Sequence, residues 1–152
     1  RFTHITLLPP INKIGLQLDS ELAEINDCNI IGGDLGLKIS LTGLRNKINR
    51  LKVAGGQEDA SVLIYGDENT FTDCILNGNG TALHGFDAEL TSSYNMFRSC
   101  DVVGYANHEI KFGVDTVGSL FYGNAKTALD LGTTNSIIKI ATKADVINAS
   151  QL

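Results

Sequence analysis

The chain has 152 residues, 43% of them hydrophobic and 19% charged, with a net charge of −5. That composition suits one domain with a substantial core and excludes intrinsic disorder. The acidic balance excludes a basic nucleic-acid footprint, and no apolar run is long enough to cross a membrane as a helix, so neither a nucleic-acid partner nor membrane insertion is expected.

Taken in order, the chain repeats itself. The first copy sets Phe2, Ile5, Leu7 and Pro9; an alternating segment, Leu16-Gln17-Leu18, follows it. The second copy gives Ile25, Cys28, Ile30 and Gly32, then Leu37-Lys38-Ile39. The third gives Ile48, Leu51, Val53 and Gly55, then Val62-Leu63-Ile64. Phe71, Cys74, Leu76 and Gly78 form the fourth, and Phe97, Cys100, Val102 and Gly104 the fifth, with Ile110-Lys111-Phe112 after it. A sixth begins at Phe121, continues the second column with Asn124, and precedes Leu129-Asp130-Leu131. The spacing is 23 residues over four copies, then 26, then 24. A fixed period of this length marks a repeat architecture.

The period within each copy is that of a strand. Cys28-Asn29-Ile30 and Leu51-Lys52-Val53 place apolar residues at i and i+2. The first column lies three residues upstream, an odd offset that predicts a corner. Asn26-Asp27, Asn49-Arg50, Thr72-Asp73, Arg98-Ser99 and Tyr122-Gly123 occupy it, and Asn, Asp and Gly tolerate a left-handed backbone there. Two or three short strands per copy, joined by corners, stack in parallel on the copy above at about 4.8 Å. Stacked Asn46, Asn69 and Asn95 are expected to form an amide ladder along the axis.

The runs "NKINRLKVAGG", "NTFTDCILNG" and "NMFRSCDVVG" resemble the rung of right-handed parallel β-helices, the group that includes pectate lyases, polygalacturonases and bacteriophage tailspikes. The resemblance implies an all-β, right-handed parallel β-helix solenoid of about six rungs of 23–26 residues over 1–131. Residues 132–152 are expected to be a last irregular rung or the start of a following segment. Because the chain starts with Arg1, partway through a repeat, it is expected to be a piece of a longer protein. The polygalacturonase Asn-Thr-Asp run with its paired Asp-Asp, and a pectate-lyase-like Arg constellation, are missing, so the sequence does not support pectin degradation.

Acidic residues recur in the turn before the asparagine column: Asp19 and Glu21, Asp67 and Glu68, Asp87 and Glu89, then Asp115, with Arg45 in the one copy that lacks an acid. Stacked on one side of the coil, Asp67, Glu68, Asp87 and Glu89 are the candidate catalytic carboxylates of a glycosidase-like site, which needs two of them roughly 5–9.5 Å apart. Tyr65, His84, Tyr94 and Arg98 are the candidate sugar-binding residues, tyrosine because its ring offers an apolar face and a polar tip. A solvated acidic turn without chemistry is the alternative. His4, His84 and His108 read as surface residues, and Cys28, Cys74 and Cys100 as core thiols, Cys74 and Cys100 one layer apart. No metal-ligand spacing is present, and no metal or cofactor is expected.

The expected function is that of a virion-borne or extracellular tailspike or fibre segment, a homotrimer that recognises bacterial surface polysaccharide and has scope to depolymerise it. The alternatives are a secreted polysaccharide lyase or hydrolase fragment and a purely structural spacer. The fold alone does not choose among them.

Overall fold

The structure, a computed structural model, describes residues 1–54, 60–89, 92–139 and 145–148. It is a parallel β-solenoid of about five turns, with no helix among the described residues. Strands are numbered in chain order and fall into three rows. The first row holds β1 (Phe2–Thr3), β4 (Glu24–Asn26), β7 (Lys47–Asn49), β10 (Thr70–Thr72), the leading halves of β13 (Met96–Val103) and β15 (Leu120–Ala125), and β17 (Ser136–Lys139). The second holds β2 (Thr6–Leu7), β5 (Asn29–Ile31), β8 (Lys52–Ala54), β11 (Ile75–Asn77) and the trailing halves of β13 and β15. The third is a separate sheet: β3 (Ile14–Leu18), β6 (Leu35–Ile39), β9 (Ala60–Ile64), β12 (His84–Ala88), β14 (His108–Phe112), β16 (Thr127–Asp130) and β18 (Asp145–Asn148). Every pairing among the described residues is parallel, and β17 and β18 extend both sheets past residue 131.

The sequence columns are the ladders. Phe2 pairs with Ile25, Ile25 with Ile48, Ile48 with Phe71, Phe71 with Phe97, and Phe97 with Phe121. Leu7, Ile30, Val53, Leu76 and Val102 stack in the same way and end on Ala125. Phe71, Phe86, Phe97, Phe112 and Phe121 are fully buried. Phe71 stacks on Phe97 at 5.0 Å and meets Phe86 edge-on at 5.1 Å. Burying each such side chain contributes about 1.5–3 kcal/mol, so the core's energy is spread along the axis.

One column differs from the sequence reading. Asn124 pairs with Asp101, and Gly123 is the residue opposite Cys100, because the register shifts by one between Arg98 and Cys100. β15 runs straight where the earlier copies turn, so the odd offset is lost in the last copy. The pair Tyr122-Gly123 therefore marks no left-handed corner. The fourth column is described at Gly32, Gly78 and Gly104; Gly55 lies outside the described residues.

The corners are left-handed as the residue pairs suggest. Between first and second rows, Asp27, Arg50, Asp73 and Ser99 have φ of 52–55°. The amides of Asp27, Arg50 and Asp73 each donate to a carbonyl one layer on, at Asn49, Thr72 and Arg98. Between third and first rows a second left-handed column comprises Leu22, Arg45, Glu68, Tyr94, Gly118 and Thr134. Each residue of it from Arg45 onward precedes a member of the polar ladder, and Leu22 precedes Ala23, whose amide donates to Asn46 Oδ1. Asn46 donates its backbone N–H and Nδ2 to Asn69 Oδ1 at 2.9 and 3.0 Å, and Asn69 does the same to Asn95 Oδ1 at 2.9 and 3.1 Å. The ladder then passes to Ser119 Oγ and Asn135 Oδ1, further than the three asparagines predicted.

The three thiols are free and buried. Cys28, Cys74 and Cys100 each donate to the carbonyl two residues back, at 3.3–3.5 Å. Hydrogen bonding with Cys100, then burial, pushes the Cys74 thiol well above its ordinary pKa. Inside β12 the second and third rows approach closely. Gly85 has no room for a Cβ, which would meet the Glu109 carbonyl at 2.4 Å and Val102 at 2.3 Å. The ring of Tyr105 packs beside that glycine and donates to Ser61 Oγ at 2.7 Å. Burial raises the Tyr105 pKa, with nearby Glu109 adding to it.

Candidate functional site

The third row builds the site on its outward face. Leu18, Ile39, Ile64, Ala88 and Phe112 are paired in register and point into the core. Strand alternation sends their neighbours outward. Gln17, Lys38, Leu63, Asp87 and Lys111 therefore form one outward column. Asp19, Ser40, Tyr65 and Glu89 form the next, tied by amides that donate to Leu18, Ile39 and Ile64. A small apolar cluster of Leu35, Ala60 and Leu63, with Tyr65 against it, gives this face a firm floor.

A groove of about 550 Å³ opens over the lower layers, lined by Asp19, Lys38, Ser40, Leu41, Thr42 and Tyr65. Gln17 Nε2 donates to both Asp19 carboxylate oxygens at 2.8 and 3.0 Å. Those bonds, then one with Ser40, hold the Asp19 carboxyl below the ordinary range, and Lys38 adds to the effect. Thr42 Oγ1 donates to the Asp19 carbonyl at 2.8 Å, and Ser40 Oγ to the Leu18 carbonyl at 3.2 Å, fixing the turn. The Lys38 ammonium lies 5.7 Å from the centroid of the Tyr65 ring.

Higher on the same face, Lys111 Nζ donates to Asp87 Oδ2 at 3.0 Å and, more closely, to Glu89 Oε1. Burial works against the Lys111 charge, yet Glu89 and Asp87 hold its pKa above the ordinary lysine value. Both carboxylates are thus engaged by one ammonium.

The structure divides the candidate residues. Asp87, Glu89 and Tyr65 share the outward face of the third row. The turn expected for Asp87 is instead strand β12, where its side chain is 2% exposed. His-Gly-Phe-Asp-Ala hides its alternation behind a glycine and an acid, so this strand has no apolar-polar-apolar signature. Asp67 and Glu68 sit at the corner between third and first rows. Asp67 Oδ1 accepts the Ser93 amide at 2.7 Å, and Glu68 has φ of 58° beneath the asparagine ladder. Tyr94 is the next residue in that corner column, exposed, with its ring against Gly118. Arg98 is on the first row, paired in register with Thr72 and Tyr122, on a different face from the groove.

His84 is a correction of another kind. It is not a surface residue: it is buried on β12, and its ring stacks on that of His108 at 5.6 Å and 6°. The register His84↔His108 makes a histidine ladder of what reads in sequence as two unrelated residues. His4 is exposed and faces Asp27 at 3.7 Å. Asp27 belongs to a second hollow of about 400 Å³, lined by Asp27, Asn29, Arg50, Lys52, Asp73 and Ile75. There Arg50 holds Asp27 through two hydrogen bonds. Among the described residues no group of three or more His, Cys, Asp or Glu gathers to hold a metal ion.

Sequence reasoning missed Gln17, Lys38 and Lys111. Each is the polar middle of an apolar-polar-apolar triplet, so the signal was present: such residues must point outward and stack. Comparison with family models, curated proteins and solved structures matches nothing.

Proposed function

We propose that this chain is a segment of a virion-borne or extracellular β-solenoid, of the tailspike or tail-fibre kind, that recognises bacterial surface polysaccharide along the outward face of its third strand row. The observation that carries the reading is the groove over Asp19, Lys38, Ser40, Thr42 and Tyr65. It crosses three successive layers, so it runs along the axis as a linear glycan would. Tyr65 offers an aromatic wall on which a sugar ring stacks, while Asp19, Ser40, Thr42 and Lys38 present acceptors and donors to hydroxyl groups. The commitment of Asp87 and Glu89 to Lys111 favours recognition over cleavage. The rung pattern supports the β-solenoid part of the proposal. Homotrimeric assembly belongs to the same proposal; on the first row's outward face Met96 and Leu120 stack over Thr70, and Tyr122 and Ile138 stack over Arg98 in the neighbouring column.

The test is titration of the purified chain against a panel of bacterial surface polysaccharides, beside Tyr65→Ala. Binding by the wild type that falls at least about tenfold in Tyr65→Ala, the size of one stacking contact, supports the reading. Binding that is indifferent to Tyr65 removes this groove as the site.

A further inference from the structure

Two groups on the outward face of the third row are built to one plan. In the upper group Asp87 pairs in register with Lys111, and Glu89 follows Asp87 by two residues. In the lower group Gln17 pairs in register with Lys38, and Asp19 follows Gln17 by two residues. Each lysine thus stands one layer above the same two positions, and the groups differ chiefly in having glutamine where the upper one has Asp87.

That difference changes the state of the lysine. In the upper group both acids close on Lys111. In the lower group Gln17 spends its amide on both oxygens of Asp19. Among the described residues no carboxylate lies within ion-pair distance of Lys38, which leans over Tyr65 in the groove. The fold holds a lysine in a position that elsewhere carries two counter-anions, and here leaves it only Asp19, whose oxygens are taken by Gln17.

We propose that Lys38 is the specificity-determining cation of the groove. It selects glycans with an anionic substituent, a carboxylate, sulfate or phosphate, which takes the place at Lys38 that Asp87 and Glu89 take at Lys111. The inference rests on the reading of the groove as a glycan site. The sugar ring lies on Tyr65 and its hydroxyls donate to Asp19, while the anionic group approaches Lys38 from the side away from Asp19. Lys111, already neutralised, contributes nothing to charge selection.

The experiment is calorimetric titration of the whole chain with three probes on one oligosaccharide backbone: a hexuronic-acid form, its carboxyl-reduced neutral form, and a sulfated neutral form. The variants are Lys38→Met, Lys38→Arg, Gln17→Asp and Tyr65→Ala, each checked for unchanged thermal unfolding. The wild type is expected to favour a charged probe over the neutral one by at least about tenfold, as a charge-assisted hydrogen bond does. Preference for both charged probes means any anion serves; preference for one identifies the substituent. Lys38→Met erases the preference and Lys38→Arg keeps it. Gln17→Asp also erases it, by giving Lys38 the second acid that Lys111 has. Charged and neutral probes binding equally to the wild type, with both lost in Tyr65→Ala, overturns the charge selection and leaves the groove as a glycan site. Absence of binding by all three probes overturns both.

Discussion

Asn69 and Asn95 are joined through one oxygen: the backbone N–H and the Nδ2 of Asn69 both donate to Asn95 Oδ1, at 2.9 and 3.1 Å. The Nδ2 of Asn69 also reaches the Gly43 carbonyl at 3.1 Å, on a side chain that is fully buried. The Asn69 side chain itself satisfies two backbone groups of the adjoining layer, the Gly43 carbonyl and the Asn46 N–H, which donates to Asn69 Oδ1. Replacing it strands them, at about 1–3 kcal/mol each. Asn69→Leu is expected to destabilise the chain by about 2–4 kcal/mol in denaturant unfolding, with the loss centred on the third-to-first corner. A loss under about 0.5 kcal/mol, the level of an ordinary surface substitution, refutes a structural role for the ladder.

The phenylalanine column makes a parallel claim for the interior. Phe71 touches Phe86 and Phe97, which belong to neighbouring strands of both sheets. Phe71→Ala is expected to cost about 3–5 kcal/mol. Cys74→Asp, which puts a charge at a fully buried position, is expected to prevent folding of the adjacent layers. Circular dichroism melts of the two variants check both outcomes.

Acid should weaken the histidine ladder. Burial first, and then Lys111, lowers the His108 pKa below its ordinary value of 6.5. The unfolded chain therefore binds more protons than the folded one between that value and the lowered one. Stability is full above about pH 6.5 and falls as pH drops through this window. His108→Gln is expected to flatten the slope of melting temperature against pH there. An unchanged slope locates the titration elsewhere.

The Lys111 group separates structure from binding. Lys111→Met leaves Asp87 without its ammonium on a side chain 2% exposed, and is expected to cost about 3 kcal/mol. Glu89→Gln, at a more exposed carboxylate, is expected to cost much less. Because the Lys111 pKa is raised, its contribution is present below the ordinary lysine value of 10.5 and is lost as pH rises through the folded value. Melting temperatures of wild type and Lys111→Met should therefore converge in strong alkali.

The repeat was legible because burial imposes one residue type on each column. Phe2, Ile25, Ile48, Phe71 and Phe97 needed only to be apolar, and a period of 23 makes that visible. The left-handed corners were legible through Asp27 and Asp73, yet Arg50 and Ser99 adopt the same conformation, driven by the neighbouring layers. The site was harder to see. The acidic residues all lie near the asparagine column in sequence, but a strand and a corner lie side by side there. Asp87 and Glu89 fall on one and Asp67 and Glu68 on the other. The change from Asp87 to Gln17, which distinguishes the two lysines, has meaning only once the register is known.

The most direct test of the groove is amide hydrogen exchange of the whole chain with and without bacterial surface polysaccharide. Added protection is expected at residues 17–19, 38–42 and 63–65, and none on the first row around Arg98 and Tyr122. Protection that falls on the first row instead, or no change at any amide under saturating polysaccharide, contradicts this expectation.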